Sequence, residues 1–256
     1  WGHAYTEYTS NLIYAYQSGA MNEGFSDIFG AAVEFFAKGT GTDTNPNSET
    51  WLLAEDFWPG GFLRSMSNPK SKGDPDAYNG TNYTDATGSC IPSNTNDYCG
   101  VHSNSGVQNH WFYLLSDGGN GTNDNGFEYS VNGIGIENAA QIAYNSLTNY
   151  LTPTSTYFDA RQAAIWAAED LFGAGSTEVE SVVAAWCAVG LGTCDSSTLT
   201  LISPNGGEVL DGGTIYEITW NSDTIATPFV KLTYSSNNGL SWKWIINSVE
   251  NDGNYD

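Results

Sequence analysis

The hydrophobic pattern of this chain changes period once, and that change limits the fold more than any other feature. As far as Gly190 the apolar residues recur at helical spacing, whereas beyond Cys194 they fall into short β-branched and aromatic runs. From Asn22 to Ala37, the residues Phe25, Ile28, Phe29, Ala32, Val33 and Phe36 share one face, which predicts a helix with that face in the core. Ile136, Ala140, Ala143, Leu147 and Tyr150 predict a second helix, and Asp159 to Phe172 a third. Thr177 with Glu180 reads as a capping box ahead of Val182, Val183 and Trp186, giving a fourth that reaches Gly190. Between Gly39 and Asn125 the sequence is rich in Gly, Asn, Ser, Thr and Pro with little periodicity, so long ordered loops around short elements are expected.

The runs Leu199 to Ile202, Ile215 to Trp220, Phe229 to Tyr234 and Trp242 to Ile246 read as strands. Turn signals separate them at Pro204 to Gly207, at Gly212-Gly213 and at Asn237-Asn238-Gly239. The fold class expected is therefore multidomain: a mainly α-helical domain over 1–194, then a partial all-β sandwich over 195–256. An immunoglobulin-type sandwich usually takes about 100 residues, so the chain is expected to stop inside that second domain.

Seven Lys and Arg stand against 29 Asp and Glu, a formal charge of −22, which argues against nucleic acid as a partner. Charged residues make up only 14% of the chain, so the acidity reflects scarce cations more than surplus carboxylates. No apolar run approaches the roughly 18 residues of a membrane span, and Glu34 interrupts the most hydrophobic stretch, Ile28 to Ala37. The chain starts at Trp1 without initiator Met, basic leader or apolar signal core, which reads as a processed or truncated end. Cys90, Cys99, Cys187 and Cys194 allow three disulfide connectivities; the short separations favour the sequential pairing, hence a secreted, extracellular protein. A monomer is expected.

Glu23, Asp27 and Glu34 sit at i, i+4 and i+11 of the first helix, within about 40° of one another. Like charges at that spacing repel, and the chain offers few basic residues to offset them. On spacing alone this is a solvated polar face.

A longer string changes that reading: His3 to Thr9, Leu12-Ile13-Tyr14, Ser18 to Glu23, then Ser26 to Gly30. It resembles the thermolysin-like zinc metallopeptidases, in which an HExxH helix gives two zinc histidines and a general-base Glu, and a later Glu-x-x-x-Asp gives the third ligand. Trp1-Gly2-His3 resembles the end of HExxH, which places the first His and the catalytic Glu upstream and implies that the chain alone is inactive. The resemblance runs over residues 1–191 through Leu63 to Met66, Gly73 to Asp76, Gly100 to Gly106, Gly133-Ile134-Gly135 and Leu151 to Thr154.

It implies a zinc-dependent endopeptidase acting on protein or peptide. His3 and Glu23 would bind zinc, Asn22 would steady His3, and Asp27 would accept a hydrogen bond from the upstream His. His102 and Tyr14 would donate to the oxyanion, with Asp97 orienting His102. Arg64 would hold a substrate carbonyl, and Leu53, Phe57 and Leu63 would line an apolar pocket, giving cleavage before bulky hydrophobic residues. Glu34 and Glu55 would hold calcium, a single ion because Leu52 replaces a family Glu, with Asp43 or Glu49 as a further ligand. The shortened stretch Trp58 to Phe62 would lack another calcium loop. The rival expectation is a noncatalytic, calcium-stabilised binding or adhesion module on a degenerate peptidase scaffold.

Overall fold

The computed structural model describes the chain except for residues 40, 87, 88, 193–199, 206, 207, 209–211, 222–228, 237–242 and 256. It divides into two compact units, Trp1–Cys194 and Asp195–Asp256.

The first unit opens with helices α1 (Gly2–Tyr8) and α2 (Tyr16–Lys38). Three short antiparallel pairs follow: β1 (Gly41–Thr42) with β2 (Asn45–Pro46), β3 (Leu52–Leu53) with β4 (Arg64–Ser65), and β5 (Gly119–Thr122) with β6 (Glu128–Val131). Helix α3 (Asp97–Asp117) lies before the third pair, and α4 (Ile136–Asn149), α5 (Tyr157–Phe172) and α6 (Thr177–Ala188) come after it. The last three match the periodicity closely. Helix α5 begins with a reciprocal capping box between Thr156 and Asp159. At α6 the cap is one residue earlier than expected: Ser176 accepts from the Val179 N–H at 3.3 Å, so Thr177 is already helical. Any Ser-Thr pair leaves this ambiguity, because both hydroxyls can cap, and here Ser, the better N-cap of the two, takes the position.

Two expectations need correction. In α2, Phe25 and Ile28 are buried, but Val33 and Phe36 are 66% and 86% exposed, bordering an open apolar groove with Trp1, Tyr5, Tyr8 and Tyr144. All residues from Ser18 to Phe25 are buried, Glu23 among them. The first half of α2 is thus enclosed on every side, and a one-faced amphipathic reading does not apply to it. Helix α3 falls inside the stretch expected to be loops. Its buried face mixes Val101, Val107, Trp111 and Phe112 with Asn104, Ser105, Gln108 and Asn109, and those polar residues hide the helical period.

The core is shared by α2 to α6. Trp111 and Trp186 stack at 4.6 Å, tying α3 to α6, and the Trp51 indole donates to Asp117 at 2.9 Å. Helices α2 and α3 approach closely because Gly19 and Gly24 face α3. A Cβ on Gly19 would lie 2.5 Å from Val101 Cγ1, and one on Gly24 2.6 Å from Gln108 Oε1. That approach brings the start of α3 against the middle of α2.

In the second unit, β7 (Thr200–Ser203) and β11 (Asn254–Tyr255) flank β8 (Ile218–Asn221) in an antiparallel sheet, pairing Leu201 with Trp220 and Asn254 with Thr219. A second sheet pairs β9 (Phe229–Tyr234) with β10 (Lys243–Glu250). Trp220 is buried and donates to Asn251 at 2.7 Å. Strand β8 starts later than the sequence suggests, and Ile215 is exposed. Leu199, Trp242 and the turn residues Gly206, Gly207 and Asn237 to Gly239 lie outside the described residues.

Candidate active site

The site is built around Glu23, whose helix is enclosed where it stands; its residue is only 4% exposed. His3 on α1 brings Nε2 to 3.5 Å from Glu23 Oε1. The other ring nitrogen, Nδ1, lies 2.8 Å from Asn22 Oδ1. Asn22 Nδ2 donates to the Leu12 carbonyl at 3.1 Å, so its Oδ1 is an acceptor and His3 Nδ1 carries the proton. The His3 Nε2 lone pair is thereby left free on the side of the glutamate.

Tyr14 Oη donates to Glu23 Oε1 and lies 3.1 Å from His102 Nε2. Burial first, and then the Glu23 carboxylate, push the Tyr14 phenol far above its usual range, so it remains a donor. His102 Nε2 is 3.5 Å from Glu23 Oε1. Asp97 holds His102 from behind with both oxygens: Oδ1 bonds the ring Nδ1, and Oδ2 accepts the His102 backbone N–H at 2.8 Å.

That two-handed grip requires an unusual backbone. Asp97, Tyr98, Cys99 and Gly100 have φ of 54°, 48°, 68° and 83°, a full left-handed turn ahead of His102. Left-handed geometry costs an L-residue roughly 1–2 kcal/mol, so surrounding structure must hold it. Cys90 and Cys99 form a disulfide. Cys187 is also disulfide-bonded, while Cys194 lies outside the described residues.

Asp27, one helical turn after Glu23, is 9% exposed and receives Arg64 in a bidentate pair, Nε to Oδ2 at 2.9 Å and Nη2 to Oδ1 at 2.8 Å. Asn109 adds a third donor at 2.8 Å. Among the described residues Asp27 therefore orients Arg64, whose Nη2 also lies 3.9 Å from Glu23 Oε2. Asn109 escaped the sequence reading because an Asn inside a helix carries no distinguishing signal. Asp74 was legible only as part of a motif; burial pushes its carboxyl up to about 6, with Arg64 opposing and Asp27 adding to the rise. Leu53 and Leu63 meet across the β3 edge, where the Leu63 N–H bonds the Leu53 carbonyl at 2.8 Å. Phe57 is 78% exposed and encloses nothing by itself.

The zinc expectation fits the donor chemistry. Two donors each about 2.0–2.2 Å from one tetrahedral ion lie about 3.4 Å apart, and His3 Nε2 and Glu23 Oε1 are 3.5 Å apart. Among the described residues no group of three His, Cys, Asp or Glu is arranged to hold a metal. The calcium expectation fits less well. Glu34 and Glu55 do come together, but Lys38 Nζ sits 3.1 Å from each and 2.7 Å from Asp56. Asp43 is used elsewhere: its Oδ1 accepts the Glu137 N–H at 2.9 Å, capping α4. Glu49 is exposed.

Comparison with known proteins follows the same lines. The alpha-helical domain of thermolysin metallopeptidases matches residues 10–191. A thermostable neutral protease of Geobacillus stearothermophilus is 45% identical over 193 residues, which is 74% of this chain and 31% of that protein. Thermolysin of Alicyclobacillus acidocaldarius is 44% identical and bacillolysin of Brevibacillus brevis 42%, each over the same shares. The chain thus spans about 31% of the length of these relatives. Among solved structures, the precursor of protealysin, a metalloproteinase from Serratia proteamaculans, superposes with a TM-score of 0.51 at 30% identity, covering 74% of this chain and 54% of that one.

Proposed function

The chain belongs to the thermolysin metallopeptidase family, and on that premise we propose that it is the helical part of a secreted zinc-dependent endopeptidase. The observation that carries the proposal is the His3 and Glu23 pair: one free imidazole lone pair and one buried carboxylate oxygen at the spacing of two ligands on one ion. A bound zinc ion would supply Lewis-acid polarisation of a peptide carbonyl and a water acidified toward neutrality.

The residues of this chain then have separable tasks. His3 and Glu23 would hold the ion, and Asn22 fixes the His3 tautomer that leaves Nε2 available for it. Tyr14 and His102 present hydrogen-bond donors side by side where negative charge develops on the carbonyl oxygen. Asp97 fixes the His102 ring, and Asp27 fixes Arg64, whose remaining donors bind a substrate carbonyl beyond the scissile bond. Leu53 and Leu63, with Phe57 at the rim, favour bulky apolar residues on the leaving-group side. Among the described residues His3 and Glu23 offer two donors where a catalytic zinc site has three, and the expected behaviour of the chain alone is weak zinc binding without peptide turnover. The cluster at Glu34 and Glu55 takes one calcium only when Lys38 swings out. The strands after residue 200 form an immunoglobulin-like sandwich with a binding role.

The test is casein hydrolysis and zinc analysis of the full-length protein, with and without Glu23→Gln. Zinc-dependent hydrolysis lost in the variant supports the reading; a zinc-free wild type, or an active Glu23→Gln enzyme, overturns it. Product mapping checks specificity, and cleavage before charged residues would contradict the pocket assignment.

A further inference from the structure

Building on the peptidase reading, we propose that the Cys90–Cys99 disulfide is a positioning clamp for the reaction: it holds the left-handed turn that aims Asp97 at His102.

Asp97 grips the His102 backbone N–H and ring Nδ1 with its two oxygens only because the four residues from Asp97 to Gly100 coil left-handed. Such a run persists only when its surroundings over-determine it. Cys99 is the third residue of the coil, has no exposed surface, and is bonded to Cys90, nine positions earlier. The other restraints are non-covalent: the Tyr98 ring meets Tyr14 edge-on at 5.7 Å, and the rest are hydrogen bonds. Asn96 donates to the Ile91 carbonyl at 2.8 Å and accepts from the Cys99 N–H at 3.3 Å, and the Tyr98 N–H reaches the Ser93 carbonyl at 2.8 Å.

The far side of the clamp is anchored as well. Tyr16, at the start of the helix that carries Glu23, donates from Oη to the Cys90 carbonyl at 2.9 Å. A continuous path therefore runs from α2 through Tyr16, Cys90 and Cys99 to Asp97 and His102. The covalent link sets the distance between the donor side of the site and the metal side. Without it, three L-residues are free to return to right-handed geometry, which turns the Asp97 carboxylate away from the imidazole.

Two experiments test this. In the full-length enzyme, C90A/C99A should lower kcat by about tenfold to a hundredfold with KM and zinc content unchanged. The same pair of substitutions on an Asp97→Asn background should change kcat less than twofold, since the path is already cut there. A loss of equal size on both backgrounds, or no loss at all, overturns the clamp. The second experiment is independent of activity. In the chain carrying C187A/C194A, which leaves Cys90 and Cys99 as its two cysteines, the His102 Nδ1 proton held by Asp97 should give a protected NMR signal that disappears when a dithiol reduces the disulfide, giving two Cys thiols and a cyclic oxidised dithiol. Far-UV circular dichroism should stay constant, and reoxidation should restore the signal. A signal that survives reduction overturns the proposal even if C90A/C99A fails to fold. Absence of hydrolysis by the oxidised full-length enzyme would refute the peptidase reading instead, leaving the NMR result to decide the clamp.

Discussion

Helix α2 carries two carboxylate clusters, and they are neutralised in opposite ways. Glu23 is surrounded by His3, Tyr14 and His102, groups that are neutral or can be, with the nearest fixed cation, Arg64, at 3.9 Å and already committed to Asp27. Glu34 faces Glu55 and Asp56, and Lys38, one turn further along the same helix, places its ammonium among all three. The first cluster keeps its nearest cation at 3.9 Å and paired with another carboxylate; the second holds an ammonium in its midst. Acidic spacing along a helix cannot separate these cases, because the difference lies in what the rest of the chain sets opposite.

The sharpest way to break the comparison is Glu23→Gln. In the full-length enzyme it should remove measurable hydrolysis and weaken zinc binding by about a hundredfold or more, read by titration against a chelating dye. Next is His102→Ala, which should lower kcat by about 10²–10³ while zinc content stays near one per chain. Equal losses of metal and rate would place His102 among the ligands.

At the other cluster, Lys38→Met should raise calcium affinity about five- to tenfold, the effect of removing one unit charge at close range in a water-like dielectric; calorimetry reads it. The same variant should show a steeper loss of melting temperature as pH rises. Burial, then the neighbouring Glu55, already raise the Glu34 carboxyl, so its contribution is full below the unfolded carboxylate range and is lost as pH climbs through the folded value. Removing Lys38 raises it further, and added calcium should reverse the loss.

The smallest effect belongs to a carboxylate outside both clusters. Burial pushes Asp117 up to about 6, with only the Trp51 indole opposing. Asp117→Asn should therefore raise the melting temperature by about 2–4 °C at pH 8 and leave it unchanged near pH 4, where the wild-type group is protonated in the folded state.

Much of the site was legible because its residues sit in short ordered motifs, and motif order survives burial. His3, Tyr14, Glu23, Arg64, Asp97 and His102 were all placed on one cleft by resemblance, and they meet within hydrogen-bond or ion-pair distance. Asp27 shows partners that no motif announced: Arg64 and Asn109 both donate to it, and neither pairing leaves a trace in spacing. Helix α3 was missed because Asn104, Ser105, Gln108 and Asn109 point inward, which makes its core face look like a loop. At Glu34 the part of the cluster that was not legible is Lys38, which counts in a sequence as one more surface lysine yet pairs with Glu34, Glu55 and Asp56.

Gly19 and Gly24 carry a consequence of their own. Both stand where α2 and α3 nearly touch: a methyl at Gly19 meets the stiff Val101 side chain and the Tyr14 backbone and acts as a wedge, while one at Gly24 displaces the end of the Gln108 side chain. Filling small voids is a common route to heat resistance, but at these two positions an added methyl meets Val101 or Gln108 instead of a void. Adaptation to a hotter habitat must therefore be sought on the periphery, leaving this seam unchanged.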